Sequence, residues 1–306
     1  MGMRRTVLLL ASMTLALLLT SGIALVAMLA TPDEANAAFP GKNGLIAFGS
    51  DRDGDSEIYK MFPDGSNQTQ VTHNNTNDAV PAWSPDGTKI AFGRLDKIFV
   101  KDTTNGQVVR LTGNAGRSSF DPTWSPDGTK IAFDSNRDGD QEIYTMNFSD
   151  GSGVRKLTDN ENFDVQPTWS PDGTKIAFNR DYDIWVMDAD GIHQTNLTKS
   201  PQLSEYSPDW APDGTKIAFE KWGGDLGFQT DIFLIKSDGS GLVNLTNTPD
   251  VSEDDPAWSP DGRKVAYSVS FNDIWKINAD GTSPKNITNT PETSEISPNW
   301  QSIPTP

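Results

Sequence analysis

Trp83-Ser84-Pro85-Asp86-Gly87-Thr88-Lys89-Ile90-Ala91-Phe92 decides the fold, because the chain repeats it. Nearly the same phrase follows Trp124, Trp169, Trp210 and Trp258, and a sixth tryptophan, Trp300, closes the series. The spacings are 41, 45, 41, 48 and 42 residues. Periods of that size belong to repeat architectures. Within one unit, Ser84-Pro85-Asp86-Gly87 has the residue order of a type I turn whose Gly completes a bulged hairpin. Pro81-Ala82-Trp83 before it is extended, since a residue preceding Pro is pushed out of the helical region. Lys89-Ile90-Ala91-Phe92 after it has strand composition.

Third strands recur as Ile98-Phe99-Val100, Glu142-Ile143-Tyr144, Asp183-Ile184-Trp185, Asp231-Ile232-Phe233 and Asp273-Ile274-Trp275. Fourth strands are expected to end in Leu-Thr or its equivalent, as at Leu111-Thr112, Leu157-Thr158 and Leu245-Thr246. Four short antiparallel strands per repeat, with no helical period between them, describe the blades of an all-β propeller. The chain enters at a second strand, Leu45-Ile46-Ala47-Phe48, and leaves at a first strand, Ser297-Pro298-Asn299-Trp300. The two ends are therefore expected to share one blade, closing a six-bladed ring with no open sheet edge.

W-S-P-D-G-T-K-I-A-F, followed by S-x-R-D-G-x-x-E-I-Y and L-T, resembles the TolB-like β-propeller family over Gly44 to Trp300. TolB itself carries an additional α/β domain before its propeller, whereas here the first blade follows the leader within a few residues. The resemblance implies the propeller; it does not by itself imply a role in a Tol–Pal system. Some relatives with such a propeller also carry a serine peptidase domain, but this sequence has no G-x-S-x-G elbow.

Of the 306 residues, 1–37 read as a signal peptide or N-terminal membrane anchor and 38–306 as the propeller. Arg4 and Arg5 precede an uncharged stretch, and Ala35-Asn36-Ala37 has the small-x-small pattern of a cleavage site. The propeller is thus expected outside the cytoplasm: extracellular, periplasmic or tied to the cell envelope. The absence of cysteine removes disulfides, thiolate metal sites and thiol nucleophiles. Two histidines, at different places in their repeats, give no basis for a triad or a His-based metal site. A net charge of −17 argues against nucleic acid and anionic membranes as partners.

Five residues before each tryptophan, at the upper entrance of the innermost strand, stand Asp78, Ser119, Asp164, Glu205, Glu253 and Glu295. Asp78, Asp164, Glu205, Glu253 and Glu295 are expected to converge around the ring axis. A carboxylate ring there would attract Ca²⁺, a hard ion that takes oxygen ligands, or the basic groups of a partner. The competing reading is that each acid caps a backbone amide or pairs with a neighbouring blade, repeated because the blade is repeated. Asp51 to Glu57 lacks the Gly position of an EF-hand and reads as a hairpin turn.

The longest insertion runs from Glu220 to Thr230 in the fifth blade and offers Trp222, Asp225 and Phe228 as partner-binding residues. These features point to a monomeric, non-catalytic module binding a protein or peptide, basic in character, on an acidic upper face. The alternative is a polysaccharide-binding or polysaccharide-degrading propeller using the same face, which aromatic residues displayed in the upper loops would favour.

Overall fold

The computed structural model describes residues 41–113, 117–200, 203–223 and 229–304. The leader over 1–37 therefore lies outside the described residues, as do Asp225 and Phe228. The described chain forms six four-stranded antiparallel sheets, one per repeat. Counting from the N-terminus, the inner strands of blades two to six are Asp78–Trp83, Ser119–Trp124, Asp164–Trp169, Ser204–Trp210 and Glu253–Trp258. Blade one takes its inner strand, Glu295–Ile303, from the C-terminal end and pairs it with Lys42–Ser50. The ring closes as the sequence pattern predicts.

Each turn below the inner strand follows its residue types. In Ser84 to Lys89, the Gly87 N–H donates to the Ser84 carbonyl at 2.8 Å, and the Ser84 N–H donates to the Lys89 carbonyl at 2.8 Å. Gly87 holds φ +67°, which a side chain adopts only with strain. The Asp86 carboxylate accepts from Ser84 Oγ at 2.5 Å and from the Thr88 N–H at 2.9 Å, tying the turn together.

The core is divided into six clusters, one between each pair of blades. Trp83 packs on Ala47, Ile58 and Val71 of blade one, and Trp124 on Ala91, Ile98 and Val100 of blade two. Trp169, Trp210, Trp258 and Trp300 repeat the contact around the ring. All six indoles are buried, and burying side chains of this size supplies the main attraction between blades.

The fourth strands are shorter than the sequence pattern suggests: Arg155–Lys156, for example, stops before Leu157 and Thr158. The threonine leaves the ladder to work as an acceptor. Thr72, Thr112 and Thr158 Oγ1 each take the N–H of the third-strand isoleucine, Ile58, Ile98 and Ile143, at 2.9 Å. The Asn-x-Thr triplets serve the same junction, since Asn196 and Asn286 donate to Asp183 and Asp273 at 2.6 and 2.8 Å.

Candidate functional site at the upper channel mouth

Blades are radial sheets, so a regular side chain on an inner strand faces a neighbouring blade and only the strand's edge faces the axis. This places the five predicted acids away from the channel. Asp78, Asp164, Glu205, Glu253 and Glu295 are all buried, within 2% of complete burial, at the blade junctions. Arg94 Nε donates to Asp78 at 2.5 Å, Arg180 Nε to Asp164 at 2.6 Å, and Lys221 Nζ stands 3.2 Å from Glu205. Arg52 pairs with Glu295. Instead of converging on the axis, these four pair within their own blades, each with a cation carried on or just after the second strand that hydrogen-bonds the inner one. Among the described residues no group of three or more His, Cys, Asp or Glu side chains is arranged to hold a metal ion.

The channel is lined instead by residues three before each tryptophan. Every inner strand slips register there, as between Ala79 and Ala82 in blade two. The residues at the slip are Val80, Asp121, Gln166, Ser207, Asp255 and Ser297, all with φ between 47° and 55°. Such a bulge, followed each time by Pro, turns one side chain per blade out of the sheet and into the channel. These six residues and their prolines line a cavity of about 160 Å³. The sequence signal was the residue preceding each inner-strand proline, a position at which the six copies differ.

A hydrogen-bond chain links four blades across this cavity. Gln166 Oε1 accepts the Ser207 N–H at 2.9 Å, and Ser207 Oγ donates to Asp255 Oδ1 at 3.3 Å. Ser297 donates its Oγ–H to Asp255 Oδ2 at 3.1 Å, while the Asp255 N–H donates to Glu220 Oε2 at 3.0 Å. Opposite them, Asp121 lies beside Asp134, whose Oδ2 accepts from Gln141 at 2.9 Å.

Desolvation, with Asp134 and Asp255 as like charges, pushes the Asp121 carboxyl well above its usual range. Burial raises Asp134 to about 6. Burial and then the Asp255 charge raise Glu220, and burial raises Asp255 itself. Lower in the channel, burial raises Asp209 to about 7 although it accepts the Trp258 N–H at 2.7 Å. Among the described residues, none of these carboxylates has a Lys or Arg at ion-pair distance. The mouth is therefore short of positive charge, and burial disfavours the ionised form of its carboxyls.

Bulky side chains surround the mouth on the same upper face. The tight turns joining second and third strands have positive φ at two successive positions: Leu95-Asp96 and Asp181-Tyr182, which are two-residue turns, and Ser270-Phe271 within a three-residue one. Such turns favour Asn-Gly, and a leucine, tyrosine or phenylalanine there is strained. Leu95 is 69% exposed, and Tyr182 and Phe271 are each 57% exposed. Phe163 and Trp222 are exposed as well. Trp222 ends the second strand of blade five, at the edge of the insertion read from the sequence as partner-binding.

A family model for the TolB beta propeller domain matches residues 64–183. A "Protein TolB homolog" of Chlorobium luteolum is 38% identical over 69 residues, covering 21% of this chain and 16% of the relative. A "Tol-Pal system protein TolB" of Desulfosudis oleivorans is 32% identical over 119 residues, covering 37% of this chain and 26% of the relative. These matches thus span about a quarter or less of the curated relatives' length. In three dimensions the crystal structure of TolB from Acinetobacter baumannii superposes with a TM-score of 0.71 at 23% identity, over 85% of this chain and 67% of that one. Repeat phrase, blade count and ring closure agree with these matches: the chain is a TolB-like six-bladed β-propeller.

Proposed function

We propose that this chain is an exported, non-catalytic scaffold that binds a protein or peptide through its upper face, with basic side chains of the partner entering the channel mouth. The observation that carries the reading is the set of carboxylates Asp121, Glu220 and Asp255, which lack a cationic partner among the described residues and stand at the centre of that face. Strained, exposed Leu95, Tyr182 and Phe271 supply the apolar contact area that such a docking face needs. Export rests on the leader and is in keeping with the similarity to a Tol-Pal system protein. Binding as a monomer, through one face of a closed ring, is the simplest arrangement of these parts.

A hard cation such as Ca²⁺ competes for the same carboxylates in this reading. A polysaccharide ligand is the second reading, because exposed aromatics also stack on sugar rings and four of them stand on this face. Photo-reactive residues placed at Tyr182 and Phe271, and as controls at Ile192 and Val154 on the lower face, separate the cases in the native cell envelope. Protein adducts from the upper positions alone, weakened by added salt, are the expected result. Adducts from the lower positions alone would place the docking face on the wrong side. Glycan adducts would replace the protein partner by a sugar.

A further inference from the structure

Five of the six blade junctions place two carboxylates at matching positions, one opening the third strand of a blade and one on the inner strand of the next. The pairs are Glu57 and Asp78, Glu142 and Asp164, Asp183 and Glu205, Asp231 and Glu253, and Asp273 and Glu295. Four of them receive a cation from the following blade: Arg94, Arg180, Lys221 and Arg52. Each of those cations also rests on its blade's aromatic residues. Arg94 lies 5.1 and 5.0 Å from the Phe92 and Phe99 rings, and Arg180 lies 5.1 and 4.7 Å from Phe178 and Trp185. Arg52 lies over Tyr59 at 4.5 Å, and Lys221 over Phe233 at 5.2 Å. Even blade three, whose inner-strand residue is Ser119, keeps Arg137 over Phe133 and Tyr144.

Blade six departs from this pattern. Tyr267 and Trp275 stand opposite each other as the other aromatic pairs do, yet Val269 occupies the position of Arg94, Arg180 and Lys221. Among the described residues no Lys or Arg reaches Glu253 or Asp231. Glu253 Oε2 and Asp231 Oδ1 are buried without a hydrogen-bond partner, as is Asp254 Oδ2 beside them. Glu205 and Glu295 also leave Oε2 unbonded, but each of those has a cation on its other oxygen, and their partners Asp183 and Asp273 are fully engaged. At the equivalent places Asp183 Oδ1 accepts the Ser200 N–H at 2.8 Å and Asp273 Oδ1 the Thr290 N–H at 2.7 Å. Leaving such acceptors desolvated and unmatched is costly, so this junction, where Val269 stands in place of a cation, is the one of the five that would gain most from a positive charge.

We propose that the junction between blades five and six is a receptor slot for a guanidinium or ammonium group from outside the chain, seated between Glu253, Asp231 and the Tyr267–Trp275 pair. Carboxylate on one side and aromatic face on another is the recognition chemistry of such cations. The four resident cations are between 9% and 22% exposed, so the equivalent slots lie just beneath the surface. Burial and the adjacent Asp231 push Glu253 up to about 7, so the empty slot keeps a proton that the guest releases. The other groups facing it act in the same sense or are engaged. Burial raises Asp254 to about 6, the Tyr267 phenol is raised by burial and by Glu253, and Lys221 is held by Glu205. The hydroxyls of Thr246 and Thr248 favour the ionised form.

This slot lies between blades and does not depend on the channel reading above. The test is calorimetry on the full chain with agmatine and, separately, with acetyl-Gly-Arg-Gly-amide. Agmatine is expected to bind at pH 8 with a Kd of about 1 mM or tighter, and at least about tenfold more weakly at pH 5.5. Val269→Arg fills the slot from within and removes binding, while melting no lower than the parent. Glu253→Gln weakens binding at pH 8. Binding of both probes identifies the guest as a side chain of another protein, and binding of agmatine alone identifies a small molecule. No binding at about 10 mM, undiminished binding by Val269→Arg, or a Glu253 titration midpoint that agmatine leaves unmoved overturns the proposal. The last result would mean that a shared proton alone closes the junction.

Discussion

Aspartates at the two ends of the ring behave oppositely. Below, burial opposes ionisation of Asp86, Asp127 and Asp172, but the hydroxyls and amides of their own turns outweigh it and hold all three below the usual carboxylate range. Above, burial wins: Asp121, Glu220 and Asp255 are raised by desolvation, the first two also by neighbouring carboxylates. No Lys or Arg among the described residues stands at ion-pair distance, and the rise in Asp255 comes despite its Ser207 and Ser297 donors. Residue type does not separate the two sets. What separates them is that the lower aspartates are copied with the turn they stabilise, while the upper ones occur only in particular blades. Acids repeated with the blade are architecture where their cation repeats too, and the candidates for binding are acids that break the repeat or, as at Glu253, have lost that cation.

The largest test of that division removes the architecture. Ending the chain before Ser294 deletes the strand Glu295–Ile303, leaves Lys42–Ser50 as an open edge and removes the Trp300 cluster. An aggregated product is expected on size exclusion. A monomer with an unchanged melting temperature would mean that blade one does not need its C-terminal strand. Next in size, Trp169→Ala empties a buried site between blades three and four and is expected to cost about 3–5 kcal/mol in denaturant unfolding. A loss below about 1 kcal/mol would show that the indoles do not hold the blades together.

Smaller effects separate the two kinds of acid by sign. Asp209, raised to about 7, keeps its proton in the folded chain after the unfolded chain has lost it. Folding stability therefore falls as pH climbs from about 4 through 7, and the loss is complete above that range. Asp209→Asn keeps an acceptor for the Trp258 N–H and should gain on the order of 2 kcal/mol over the parent at pH 8, with no gain near pH 4. A constant difference across that range would contradict the assignment. Asp172→Ala has the opposite sense. Its lowered carboxyl contributes stability above the usual aspartate range that is lost only as pH falls through the depressed value. The variant should lose about 1 kcal/mol at neutral pH and progressively less in acid, as chemical denaturation at the two extremes would show.

Periodicity made the ring legible. Six tryptophans, the recurring turn and the mismatched chain ends fix the blade count and its closure, because a 41–48-residue period has few physical solutions. The site was legible only in kind. An acid-rich upper face follows from the loops, but counting five residues back from each tryptophan reached Asp78 and Asp164 at the blade junctions rather than the channel. Strand alternation would have been a sound guide if the inner strands were regular. The bulge at Val80 and its equivalents shifts which side chain turns inward, and a bulge is a property of backbone pairing that a single strand's sequence does not display. Asp134 and Glu220 escaped for a related reason, since each reaches the channel from a second strand. The cations on the junction acids were visible as Arg94, Arg180 and Lys221 at a constant distance from the tryptophan, a pattern that needs the strand register to be interpreted.

The contrast between the ends of the ring can be read on the carboxyl carbons themselves. Carbon-13 chemical shifts of Asp172 and Asp255, followed through a pH titration of the folded chain, report both classes in one sample. The account predicts an Asp172 midpoint below the ordinary aspartate range and an Asp255 midpoint above it, the latter falling when a basic peptide is added. Ordinary midpoints for both, or an Asp255 midpoint below that of Asp172, would mean that the channel mouth holds no reserve of unpaired carboxyl groups for a partner.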